Sequence, residues 1–385
     1  MTSLGMPWNL TEAHGWGLVG VHTSLYLIDR GTPPVLLAEP MFGTMRPQTR
    51  ERLMPLLETW RGIAAWIEQN KPPMVKLGEV DVLHPLGNGM VTHENRFQGR
   101  RNIGVIAFEN TRLDERARAA GRSYDFMIAH SEYNVRLLQD AGIPDVRLTW
   151  QGIDPTEMYP VTRRGVFGNR FVVFSGGKLE FRKGQDLVVA AFRQFHQRHP
   201  DSLLVSAWFN AWPAVAMDMT ESKLAPAPPR VANGRVQITR WAVDNGMPPE
   251  AFFDLGFLSR DRIANVLAEC DAALFPNRCE GATNLVAMEA MACGLPVVIS
   301  ANTGHRDIIR DGACYPLLRQ DPVPDPKGER QGWGESSVEE IVETLEAMYQ
   351  NREEARRRGA AGMEFIQKER TWRKFAEAFV EAAER

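Results

Sequence analysis

The sequence predicts an α/β protein made of two doubly wound domains. Short apolar runs alternate with helix-length amphipathic patterns along most of the chain, which implies parallel strands joined by crossover helices. Residues 271–300 show that unit most plainly. A buried strand at 271–275 is followed by a polar loop, then by a helix at 285–293 stopped by Gly294 with Pro296 just beyond, then by a second buried strand. With 385 residues, 44% hydrophobic and 24% charged, the chain is long enough to bury two cores.

Taken in order, residues 15–28 read as the first helix, entered through Gly15, Gly17 and Gly20 in a G-x-G-x-x-G pattern. A strand at 35–38 then ends at Glu39, where a dinucleotide-binding fold places its ribose acid, so an NAD-dependent oxidoreductase is a competing reading. Residues 6–13 make a poor strand ahead of those glycines, which counts against it. Residues 46–70 read as helical, with Leu53, Leu56, Leu57, Trp60, Ile63 and Ile67 spaced to face a core. A short strand at 80–84 ends in His84, and the polar run 92–96 precedes a strand at 102–108 that leads to Glu109 and Arg112. A strand at 124–130, a helix from Ser131 to Asp140 and a strand at 146–150 complete the first domain before Gly152 and Asp154. Polar, glycine-containing residues 162–169 read as the interdomain linker.

The second domain opens with a strand from Arg170 into Gly176, Gly177 and Lys178, with Arg182 and Lys183 a few positions on. A helix to His199, a strand at 202–207, a flexible Pro- and Ala-rich excursion at 225–232, a strand near 236–239, the segment 252–258 and a helix to Cys270 follow. The helix at 285–293 has Thr283 or Asn284 as its N-cap and is apolar on every face except for Glu289. A carboxylate on so buried a helix needs a partner, either a structural Arg or Lys or a ligand. Glu280, just ahead of the same helix N-terminus, favours a ligand that offers both hydroxyls and phosphates.

Glu280, Gly281, Glu289, Gly294 and the strand after them resemble the nucleotide-sugar signature of retaining glycosyltransferases of the GT-B fold, family 4. That signature separates its two glutamates by seven residues, whereas eight (281–288) lie between them here. The Glu289 assignment is therefore the firmer one, and a widened loop would let Cys279 or Asn284 share the sugar contact. The resemblance implies two Rossmann-like domains facing a cleft, with boundaries at 1–160 and 161–345, and helices at 346–385 crossing back to the first domain. It implies that Lys178 and Lys183, off the loop of Gly177, hold the leaving diphosphate, and that Glu289 accepts ribose hydroxyls. Glu280 then addresses the sugar. Gly281, Thr283, Asn284 and Leu285 bring the helix N-terminus to the phosphates, His305 reaches toward diphosphate or sugar, and the backbone near Phe257 faces the base. On the acceptor side it points to Gly15, Gly17, His84, Glu109 and Arg112. The donor is a co-substrate, and no metal or further cofactor is implied. The acceptor is a glycan, a lipid-linked molecule or a protein.

A net charge of −3 and a pI near 6.3 provide no global attraction to nucleic acid or anionic membrane. Cys270, Cys279, Cys293 and Cys314 have no zinc-type spacing and read as free thiols. No apolar run is long enough to span a bilayer, so the expected location is cytoplasmic, with peripheral membrane contact left open. A glycoside hydrolase, which also uses two carboxylates, and a non-catalytic GT-B scaffold are the remaining alternatives.

Overall fold

A computed structural model describes residues 3–92 and 96–385, so that 93–95 of the polar run 92–96 lie outside it. The chain forms two compact units, one of residues 1–152, 326–330 and 370–385, the other of 153–325 and 331–369. The first boundary thus falls at 152/153, earlier than the expected 160/161, and residues 162–169 lie inside the second unit.

The first unit is a six-stranded parallel sheet of β1 (Ser3–Met6), β2 (Val35–Leu36), β3 (Val80–Leu86), β4 (Asn102–Ile106), β5 (Phe126–Ala129) and β6 (Val146–Leu148), in the order β2-β1-β3-β4-β5-β6. Its helices are α1 (Gly15–Asp29), α2 (Pro47–Leu53), α3 (Leu56–Asn70), α4 (Glu115–Arg122) and α5 (Glu132–Asp140). The helical stretch expected at 46–70 is two helices, broken at Met54 and Pro55, where proline lacks the N–H and clashes with the preceding turn. Of its predicted core residues only Leu53 and Leu56 are fully buried. His84 is not at a strand end either: β3 runs on to Leu86, and His84 pairs with Gly104 of β4.

The second unit is also six-stranded and parallel: β7 (Phe171–Gly176), β8 (Ser202–Ala207), β9 (Phe252–Asp254), β10 (Ala272–Phe275), β11 (Val297–Ser300) and β12 (Tyr315–Leu317), in the order β9-β8-β7-β10-β11-β12. Around it lie α6 (Gln185–Arg198), α7 (Ile238–Asp244), α8 (Arg260–Leu267), α9 (Leu285–Ala292), α10 (Val338–Gln350) and α11 (Arg352–Glu369). Side chains alternate between two cores. Phe171, Val173 and Leu274 pack on one face with Phe192, Phe195 and Leu345, while Val172, Phe174 and Phe275 pack on the other with Met288, Met291 and Phe365. The strand expected at 236–239 is absent as such. Arg235–Val236 pairs with Val231–Ala232 in a small hairpin and α7 begins at Ile238. The Pro- and Ala-rich excursion is likewise anchored, since Ala225 is buried in the first of these cores.

Of the C-terminal helices only α12 (Trp372–Glu384) belongs to the first unit; α10 and α11 belong to the second. Trp372 stacks on His22 of α1 with ring centroids 4.8 Å apart. A Cβ on Gly152 would lie 2.2 Å from the Thr371 carbonyl carbon, so glycine is required where α12 starts. Among the described residues no helix is long and apolar enough to cross a membrane.

Candidate functional site

The strand order of the second unit reverses between β7 and β10, and ligands of doubly wound sheets bind beyond the carboxyl ends of strands at such a point. The loops leaving β7 and β10 meet there. Gly184 (φ 70°) makes the meeting possible, because a Cβ on it would lie 2.4 Å from the Pro276 carbonyl oxygen. The single helical turn Phe181–Lys183 then places Arg182 and Lys183 against Glu280.

Lys183 Nζ lies 2.5 Å from Glu280 Oε1 and Arg182 Nη1 3.2 Å from Oε2, while Asn277 also donates to Oε1. Burial by itself would raise the Glu280 pKa, but the two cations overcome it and hold the carboxyl down at about 2. Burial also lowers the Lys183 pKa, with Arg182 adding to it and Glu280 opposing. Lys178 sits apart: it is half-buried, 3.2 Å from Glu180 Oε2, with its ammonium 5.7 Å from the Trp212 ring centroid. The two lysines of the loop therefore have different settings, and Arg182 rather than Lys178 is the second cation on Glu280. Asp218 accepts the Phe181 amide at 2.9 Å, and burial first, then the nearby Glu180 and Glu221, push it up to about 7.

The 281–284 turn leads from Glu280 into α9. Asn284, the N-cap of α9, adopts a left-handed backbone (φ 62°) and accepts the Ala287 amide through Oδ1. Its Nδ2 donates to His305 Nε2 at 2.9 Å, whereas Ser300 Oγ, which donates to Asn277 O at 2.6 Å, accepts from His305 Nδ1 at 2.9 Å. This pattern calls for neutral His305 protonated on Nδ1, in keeping with a pKa that burial takes down to about 4. With both nitrogens engaged and no exposure, His305 orients Asn284 and does not reach a ligand. Thr283 and Gly281 are buried beside it, Leu285 is half-buried, and Cys279 is fully enclosed, which removes it as a sugar contact.

Glu289 is buried on α9 and takes Arg260 Nη1 on Oε1 at 2.9 Å, while Arg260 Nε reaches Glu157 Oε2 at 3.0 Å. The partner expected for a lone carboxylate on an apolar helix is thus an arginine. Nearby in chain order, exposed Phe257 meets Phe209 edge to face at 5.4 Å, beyond the ends of β9 and β8.

Several residues here carried no sequence motif. Arg278, fully buried, binds Asp186 through two parallel bonds (2.8 and 2.7 Å), Glu335 at 2.7 Å and the Phe181 carbonyl at 2.7 Å, so it ties the β10 loop to the Arg182–Lys183 turn. Its only signal was a charge inside an otherwise buried run. Arg260, Glu157 and Asn277 gave none.

In the first unit, His14 Nδ1 caps α1 by accepting the Gly17 amide at 3.1 Å. A Cβ on Gly17 would lie 2.3 Å from Thr11 O, and one on Gly20 2.4 Å from Leu10. These glycines bring α1 against its own preceding loop, and residues 7–14 separate β1 from Gly15, so the pyrophosphate-binding fingerprint is not formed. His84 is buried, with Nε2 3.0 Å from Asn102 Oδ1 and its ring tilted on Tyr124 at 5.4 Å; burial lowers its pKa. Glu109 is half-buried and Arg112 is exposed, their amides held by Asn88 and Asn110 side chains. His84 is thus enclosed, whereas Arg112 faces solvent.

Residues 169–325 match the family model described as Glycosyl transferases group 1. That stretch, about two fifths of the chain, is similar to the group 1 glycosyl transferases. It spans the Lys183 and Glu280 loops and the helix of Glu289, and it ends beyond β12. The whole chain shares its fold with solved glycosyltransferases: sucrose-phosphate synthase from Thermosynechococcus elongatus (15% identity, TM-score 0.65, 99% of this chain and 98% of that one), HepE from Anabaena in complex with UDP-glucose (13%, 0.63, 99% and 99%) and a glycosyltransferase from Rickettsia africae (10%, 0.63, 100% and 98%). The matched stretch therefore sits in a chain of GT-B fold. No curated protein sequence matches the chain.

Proposed function

We propose that this chain transfers a sugar from a nucleotide-activated donor to an acceptor, with retention of anomeric configuration. The observation that carries the reading is the cation pair of Arg182 and Lys183, set at the β7/β10 reversal beside a carboxylate that stays ionised. A diphosphate gains negative charge as it leaves, and a fixed, nearly dry ammonium such as Lys183 stabilises that charge without reorganising. Lys178, on the more open side of the same loop, adds a third positive charge. Glu289 accepts ribose hydroxyls. Glu280, with a pKa near 2, is an anion at neutral pH and accepts from a sugar hydroxyl; it has no proton to give a glycosidic oxygen, which argues against a glycoside hydrolase needing a raised acid. In this scheme the acceptor attacks from the face that the nucleotide leaves, no side chain becomes glycosylated, and neither metal nor further cofactor takes part. Gly15, Glu109 and Arg112 belong to the acceptor side, and a cytoplasmic location with reduced thiols completes the reading.

HepE is described in complex with UDP-glucose, which makes that donor the first to try here. A thermal-shift panel of UDP-, GDP- and ADP-sugars and NAD(H) is expected to raise the melting temperature with one sugar nucleotide only. In calorimetry, Lys183→Ala and Glu289→Ala are each expected to lose donor affinity while remaining folded; unchanged affinity in either defeats the assignment. NMR of the product reads retention, and an inverted anomer would overturn that part alone.

A further inference from the structure

Two arginines of the second unit, Arg278 buried and Arg260 half-buried, treat their carboxylates differently. Arg278 meets Asp186 face on, with Nη1 on Oδ1 and Nη2 on Oδ2, the two-bond fork expected of a purely structural ion pair. Arg260, the first residue of α8 and 13% exposed in its side chain, divides its fork instead. Nη1 goes to Glu289 Oε1 at 2.9 Å and Nε to Glu157 Oε2 at 3.0 Å. One cation thus serves two carboxylates, buried Glu289 and half-buried Glu157. Among the described residues Glu289 Oε2 accepts no hydrogen bond. That oxygen is not among the enclosed side-chain atoms, so a donor from outside the chain can reach it.

We infer that Arg260 is a positioning residue for the donor's ribose, taking one oxygen of Glu289 and leaving the other as the acceptor for a ribose hydroxyl. The inference rests on the proposed function and adds a residue to it. Glu157 has a part in the same device: by drawing Nε away, it prevents the guanidinium from closing on both oxygens of Glu289. A hydroxyl is the chemistry that suits the open oxygen, since it donates one bond and brings no charge.

The test compares UDP, GDP and ADP with their 2′-deoxy counterparts by calorimetry, on the wild type, on Arg260→Met and on Glu157→Gln. The wild type is expected to bind one ribonucleoside diphosphate about tenfold more tightly than its deoxy form. In Arg260→Met that ratio is expected to fall to within about twofold, because Glu289 is no longer oriented, while the deoxy form keeps most of its affinity. Glu157→Gln should lower the ratio as well, since the fork can then close on Glu289. It is isosteric and decides the matter if Arg260→Met does not fold. A merely structural Arg260 would weaken both forms equally and leave the ratio unchanged, which overturns the inference, as does a wild type without ribose preference. Failure of the wild type to bind any of the three diphosphates would instead overturn the proposed function.

Discussion

The two sheets of this protein both reverse their strand order, and the two reversals are furnished in opposite ways. In the first unit the loop after β1 is joined to α1 by bare glycine surface: Gly17 against Thr11, Gly20 against Leu10 and Trp8. Its buried charges serve helix ends: Glu12, in that same loop, accepts the Arg46 amide ahead of α2, and Asp81 holds Arg101, which donates to the Ala383 carbonyl of α12. In the second unit the loops after β7 and β10 are joined by charge: Arg278 to Asp186, Arg182 and Lys183 to Glu280. Burying ions is costly unless each is paired, and replacing such pairs by apolar groups is often neutral or stabilising. So dense a charge web at one reversal therefore costs more than apolar packing would, and its Arg182–Lys183–Glu280 part is what the proposed function draws on.

The largest effect that would break this contrast is at Arg278. Arg278→Met leaves Asp186 buried without its cation and is expected to cost the second unit about 3–5 kcal/mol, read by urea denaturation. A loss below about 1 kcal/mol would mean that the web is not what joins the loops.

Acid should separate the units next. His130 in the first and His305 in the second both have pKa values that burial takes from 6.5 to about 4. The folded state thus favours the neutral ring, so the stability is complete above pH 6.5 and is lost as pH falls toward 4, by roughly 3 kcal/mol for each histidine. Glu280, depressed from 4.5 to about 2, adds a further loss between those two values in the second unit alone. Unfolding followed with a spectroscopic probe in each unit should show a shared decline above pH 4.5 and a steeper one for the second unit below it. Identical profiles throughout would remove the electrostatic difference.

A smaller effect is expected at Gly17. Gly17→Ala should cost about 1–3 kcal/mol, since the new Cβ forces α1 away from Thr11, yet leave nucleotide binding by the second unit intact. Loss of nucleotide affinity in that variant would reopen the dinucleotide reading of the glycine run. Smallest of all, exposed Arg112→Ala should shift stability by no more than about 0.5 kcal/mol, and an effect on turnover with an identified acceptor would give Arg112 its acceptor-side role.

The fold class was legible because strand and helix periodicities are local. The run 271–300 shows its strand, loop, helix and stop in chain order, and the structure returns them as β10, α9 and β11. Local rules also offered Asn284 as a cap. They misjudged places where a neighbour decides: β3 continues past His84 because β4 pairs with it up to Leu86, and Ala225 is anchored by a core made of distant strands.

By itself, then, the sequence determined two doubly wound units, the all-apolar helix carrying Glu289, and the placement of Glu280 and Lys183 in loops rather than in elements. Only the tertiary structure decided which charges meet. Arg182 rather than Lys178 joins Lys183 on Glu280, Arg260 divides itself between Glu157 and Glu289, and His305 is sealed between Ser300 and Asn284. The reason is physical. An ion pair between loops depends on which strands are neighbours, and β7 lies beside β10 although about a hundred residues separate them, a distance in sequence over which no local pattern carries information.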